Sequence, residues 1–164
     1  DMFGFPNELY EVKYPVKGSK ELTKDVEKIL GNEVKINDDW GIDHGTWTVF
    51  FHMFPEARIP VVQLSVNAYL NTEKAYKLGE KLAKLREKGY LIVGSGNIVH
   101  NLRKIEWDNP KGTQEADKFD RYILENINKR EDEKVIKYEE HEYSNYAVPT
   151  PDHFMPLLYI LGAS

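Results

Sequence analysis

Two short apolar runs bracket one amphipathic stretch, and that arrangement constrains the fold more than any other feature of the chain. The runs are Pro60-Val61-Val62-Gln63-Leu64-Ser65-Val66 and Tyr90-Leu91-Ile92-Val93. Both read as strands buried between two layers, the first rich in β-branched residues. Between them Ala75, Leu78, Leu82 and Leu85 form one stripe, Thr72 stands at a capping position and Gly89 follows the last turn. The spacing predicts a helix from Thr72 to Lys88. A strand, a helical crossover and a second strand predict parallel pairing of the two runs.

The flanking sequence extends the pattern. Ser19 is an N-cap candidate, Leu22, Val26, Ile29 and Leu30 recur at helical spacing, and Gly31 is placed to end that helix. Val34 and Ile36 alternate in a short strand candidate, Glu33 to Asn37. Thr46 to Phe54 is apolar and expected to be helical, ending before Pro55. A later helix is expected from Thr113 to Asn128, with Ala116, Phe119, Ile123 and Ile127 on one face. Arg130 to Glu142 is densely charged and reads as a solvated excursion, with at most a short edge strand at Val135-Ile136. The tail, "AVPTPDHFMPLLYILGA", is apolar again. The expected class is α/β, a mostly parallel central sheet flanked by helices, in a single domain over residues 1–164. Such sheets bind ligands outside the carboxyl ends of their strands. Gly94-Ser95-Gly96-Asn97 and His100 fall at such an end.

Charge narrows the partners. The net charge of −5 disfavours nucleic acid and anionic membrane. No run approaches the ~18 apolar residues of a membrane span. There is no cysteine, which removes disulfides, thiolate metal sites and cysteine nucleophiles together and fits a reducing, cytoplasmic compartment. The opening "DMFGFPNELY" lacks a basic n-region and an apolar h-region and reads as internal sequence, so upstream sequence is expected to be absent.

Titratable chemistry rests on five histidines. His100 follows the glycine pair, which permits unusual backbone geometry and close approach of a ligand. A phosphate loop is excluded there, because no Gly-Lys-Ser/Thr follows. His153 sits in Pro149-Thr150-Pro151-Asp152-His153, where Thr150 or Asp152 is placed to cap the apolar helix that follows. The positive end of that helix favours the neutral imidazole a metal needs. For both residues the sequence leaves a catalytic or ligating role and a structural one equally open. His44, beside Asp43, leans structural when taken alone, as do His52 and His141. No H-x-x-x-H or H-E-x-x-H spacing occurs, so a metal site has to be assembled from distant segments.

Four ordered motifs carry a resemblance: "WGIDHGTW", "IPVVQLSV", "GSGNIVHNLR" and "PTPDHFMPLLYILGA". Together with "GFPNELYEVKYPVKGS" they resemble the LigB-type class III extradiol ring-cleavage dioxygenases, nearest the 4,5-DOPA dioxygenase group, over nearly the whole chain. The family's His-Gly-Ser/Ala-Pro and Ser-Ala-His-Trp motifs, each with a metal-binding histidine, are missing here. So is a final strand region. The resemblance therefore implies a domain incomplete on its N-terminal side and inactive by itself. It implies that His153 is a metal ligand, that His100 is the acid–base histidine beside the metal and is sometimes counted as a ligand, and that His44 is catalytic and lines the substrate pocket with Asn97.

The implied activity is Fe(II)-dependent cleavage of a DOPA-like catechol by O2 to a muconic semialdehyde, with Zn(II) as an alternative occupant of the metal site. His100 would take a proton from a catechol hydroxyl and return one during cleavage. Two rivals stay open: a zinc hydrolase on the same scaffold, and a non-catalytic partner-binding relative like the Memo proteins.

Overall fold

The computed structural model describes residues 6–67 and 69–164. The chain divides into two compact units, one ending at Ser65 and the other spanning Val66–Ser164.

The first unit holds α1 (Asn7–Glu11), α2 (Lys20–Leu30) and α3 (His44–Met53). Helix α2 starts and stops where its sequence says. The Ser19 hydroxyl accepts from the Leu22 N–H at 3.2 Å, and Gly31 takes φ 55°, a conformation side chains other than glycine's resist. Val26 and Leu30 are its buried residues. Tyr14 ties the loop before α2 to the end of α3, its hydroxyl donating to the Phe54 carbonyl at 2.8 Å.

The second unit is built on α4 (Thr72–Leu82) packed against α8 (Met155–Ala163), with α5 (Gln114–Lys129), α6 (Asp132–Ile136) and α7 (Ser144–Ala147) completing it. The α4–α8 crossing is unusually close. A Cβ on Gly79 would lie 2.2 Å from the Tyr159 carbonyl oxygen, and one on Gly162 would lie 2.1 Å from that of Tyr76. Phe119, Ile123, Val135, Phe154 and Leu158 are the large side chains sealed from solvent. Each such burial contributes about 1.5–3 kcal/mol. Among the described residues, no helix is long and apolar enough to cross a membrane.

The expected α/β class, with its mostly parallel central sheet, is overturned: the described residues contain no strand. Residues 33–37, 60–66 and 90–93 form no ladder, so the parallel pairing of the last two is overturned too. A β-branched, apolar run reports a preference for extended, packed backbone, not the presence of an aligned neighbour to bond with. The Val61 N–H instead bonds the Lys17 carbonyl, and the Tyr90 N–H turns back to Leu85. Leu91 is 70% exposed, which no sheet buried on both faces would allow.

Three smaller expectations also change. Asn71, not Thr72, caps α4, its side chain accepting from the Lys74 N–H at 2.9 Å. Beyond Leu82 the helix tightens into a 3-10 segment, Ala83–Lys88, before Gly89. The charged stretch after Arg130 is not a solvated excursion with an edge strand. It forms α6 and a 3-10 turn, and its Val135, Ile136 and Tyr138 are buried.

Candidate active site

The loop after Val93 is moulded onto the start of α8. A Cβ on Gly96 would stand 2.2 Å from the His153 carbonyl oxygen, and one on Gly94 would stand 2.5 Å from Ile160. Gly96 is needed for this approach of backbone to backbone, and Gly94 makes room for the Ile160 side chain. The sequence pattern had pointed instead to the approach of a ligand. Two main-chain hydrogen bonds then fix the loop: Asn97 N–H to the His153 carbonyl and His100 N–H to the Ala147 carbonyl, both 2.8 Å. Asn101 closes the far end, its amide donating to the Tyr146 carbonyl at 2.6 Å while its side-chain oxygen accepts from the Arg103 N–H.

These restraints bring together two histidines far apart in the chain. The rings of His100 and His153 stack with centroids 3.6 Å apart and planes within 12° of parallel. Burial, and then repulsion from His153, hold His100 below the ordinary histidine pKa, so it is neutral near pH 7. His153 lies in the short 3-10 turn Pro151–His153 just before α8, not inside that helix, and α8 has no side-chain cap.

On the edge of the His153 ring, Asp152 Oδ2 lies 2.7 Å from Nδ1. The approach is out of line for a hydrogen bond, and Nδ1 is shielded from solvent with no other partner. The contact is therefore a close approach of a carboxylate oxygen to a ring nitrogen. Asp152 is itself held below the usual carboxylate range by a hydrogen bond with the Thr150 side chain, and further by the His153 charge.

His44 belongs to the first unit, as the leading residue of α3. Asp43 holds the start of the helix through both carboxylate oxygens. Its Oδ1 caps the helix by accepting from the Thr46 N–H at 2.9 Å, and its Oδ2 accepts from the Gln63 amide at 3.1 Å. The Gln63 carbonyl oxygen accepts from the Asp43 N–H at 2.8 Å and the Thr46 hydroxyl at 2.9 Å. Gln63 thus clamps the start of the helix that carries His44. Nothing in the pattern of residues 60–66 marked it for that task. His141 sits among rings, 4.5 Å from Tyr122 and 5.4 Å from Phe119, and accepts from the Tyr143 N–H through Nδ1. This is a structural environment. His52 is exposed on α3.

Among the described residues no three His, Cys, Asp or Glu side chains gather as a metal cage would require. The donor set fits one corner of such a site. Parallel rings 3.6 Å apart keep their nitrogen lone pairs in separate planes. An ion bonded in the ring plane at about 2.0–2.1 Å can lie in only one of them. One ring of the pair is thus free to ligate while the other stands beside it.

The family model described as the catalytic LigB subunit of aromatic ring-opening dioxygenase matches residues 2–164. The 4,5-DOPA dioxygenase extradiol of Escherichia coli (strain K12) is 38% identical over 99% of this chain and 62% of its own length. The protein of the same name from Beta vulgaris is 37% identical over 100% of this chain and 63% of its own. A crystal structure described as uncharacterized protein JW3007 from Escherichia coli K12 shares the fold with a TM-score of 0.84 at 37% identity, covering 94% of this chain and 66% of that one. The chain thus spans a little over three-fifths of the length of these relatives.

Proposed function

This chain belongs to the LigB family of aromatic ring-opening dioxygenases, and on that premise we propose that the protein containing it opens a catechol ring beside its two hydroxyls, with O2 as co-substrate. The stacked pair of His100 and His153 is the observation that carries the reading. Both atoms of O2 enter the product. One ring carbon–carbon bond breaks, leaving an aldehyde and a carboxylic acid, a muconic semialdehyde. A DOPA-like catechol is the substrate class, by analogy with the names of the relatives.

Enzymes of this family are generally metal-dependent. His153 would hold the ion, natively Fe(II), and the remaining ligands would come from outside the described residues, since these gather no three-donor group. Bound there, the metal supplies Lewis acidity and one-electron chemistry toward O2. The residues of this chain do the rest. His100, neutral near pH 7, accepts the proton of a catechol hydroxyl and returns a proton as the ring opens. Its ring lies in a plane apart from that of His153, so one ion could not take in-plane bonds from both, and the acid–base role goes to His100 on the resemblance of its motif. Asn97, fixed through its N–H to the His153 carbonyl, and His44, at the start of α3, are assigned to the substrate on the strength of their motifs.

The test is product analysis with the full-length protein, Fe(II) and a panel of catechols. Appearance of a ring-opened semialdehyde with matching oxygen loss supports the reading. Ester or amide hydrolysis with zinc and no oxygen loss would mark a hydrolase. Neither reaction, with capture of a protein partner, would mark a binding protein.

A further inference from the structure

We infer that Asp152 is a positioning residue for His153, setting which ring nitrogen carries the proton and so which one is free to bind a cation. Among the described residues, Asn97 N–H meets the His153 carbonyl, the face of His100 meets its ring, and Asp152 meets its edge. Of these, Asp152 is the one at a ring nitrogen. Nδ1 is closed to solvent, and a carboxylate oxygen stands 2.7 Å away. Were Nδ1 a lone-pair nitrogen, two electron-rich atoms would face each other there without water to separate them. With the proton on Nδ1, the same contact becomes attractive. Nε2 is then the ring's single lone-pair donor, and it is the nitrogen presented to a divalent cation.

Thr150 completes the arrangement. Its side chain lies next but one along the turn that carries the carboxylate. A carboxylate behind a ligating imidazole fixes ring orientation and raises donor strength. The functional meaning of this role rests on the proposed reading of His153 as a metal ligand. The position of the proton does not.

The test uses the full-length protein freed of metal, at mildly alkaline pH where both imidazoles are neutral. Long-range proton–nitrogen correlation spectra of the histidine rings report which nitrogen is protonated. Zn(II) alone, in a competition titration with a chelator, reports affinity. The expected result is the Nδ1–H form for His153 in the wild type. Asp152→Ala leaves Nδ1–H without its acceptor, so the ring should change to the Nε2–H form and zinc affinity should fall about 10–100-fold. Asp152→Glu, which keeps the carboxylate, should retain the wild-type form. An Nε2–H ring in the wild type overturns the inference without any variant having to fold. So does a ring form that ignores Asp152→Ala. The expected ring forms and zinc loss, in a protein that consumes no oxygen with any catechol, would support the positioning role and remove the dioxygenase reading instead.

Discussion

The imidazoles of His100 and His153 lie face to face, 3.6 Å apart at their centroids and within 12° of parallel. Neither ring reaches this position through local structure alone. His100 is carried by a loop bonded to the Ala147 carbonyl, and His153 by a turn whose carbonyl is bonded to Asn97. The pair is thus as rigid as the loop–turn contact beneath it.

That contact sets the first prediction. Gly96→Ala would drive a Cβ to 2.2 Å from the His153 carbonyl oxygen, a backbone atom that cannot swing aside. The loop must lift, and the Asn97–His153 hydrogen bond with it. The expected cost is about 1–3 kcal/mol of stability, read as a lower melting temperature, with loss of the ring stacking in the variant's structure. An unchanged melting temperature would show the loop to be looser than described.

Gln63→Ala removes the clamp on the start of α3. It deletes contacts to Asp43 and Thr46 that are partly solvent-exposed, so the loss should be about 1 kcal/mol, below the sum of three separate bonds. Denaturant unfolding measures it. Catalysis should suffer further if the helix start that carries His44 has to be held in place, seen as a fall in kcat at saturating catechol.

Alkaline pH should unfasten the second unit at Tyr76. Its hydroxyl donates to Asp132 Oδ2 at 2.7 Å, and that hydrogen bond, more than burial, raises its pKa above the ordinary tyrosine value. The folded state therefore keeps this proton longer than the unfolded chain does. The contribution is complete below about pH 10, where both states are protonated. It drains away as pH rises from there through the raised folded-state value. Tyr76→Phe should lose about 1 kcal/mol at neutral pH and show a shallower decline of stability above pH ~10. Equal alkaline slopes for the two proteins would refute this.

The local features were the legible ones. The Ser19 cap, the Gly31 stop and the Phe119–Ile123 face each depend on residues within a turn or two, and each is as its spacing predicts. That no sheet forms among the described residues was not legible, because Val61 and Ile92 advertise apolar, extended backbone and say nothing of a partner strand. Charge misled at Glu133, Lys134 and Lys137, which face solvent while Val135 and Ile136 beside them are buried. In the site, the glycines and histidines stood out by type. Their stacking, and the parts played by Asp152 and Gln63, needed the folded chain, since each is a relation between side chains whose positions are set by contacts distant in sequence.

The central claim is the division of labour between the two stacked histidines. Iron content and oxygen consumption with DOPA, measured together on the full-length protein and two variants, test it most directly. His100→Ala should keep most of its iron and lose about 10²–10⁴-fold in oxygen consumption, the usual worth of a positioned acid–base group. His153→Ala should lose the iron itself and with it all turnover. A His100→Ala protein that still consumes oxygen at close to the wild-type rate, or a His153→Ala protein that retains its iron, would contradict the account.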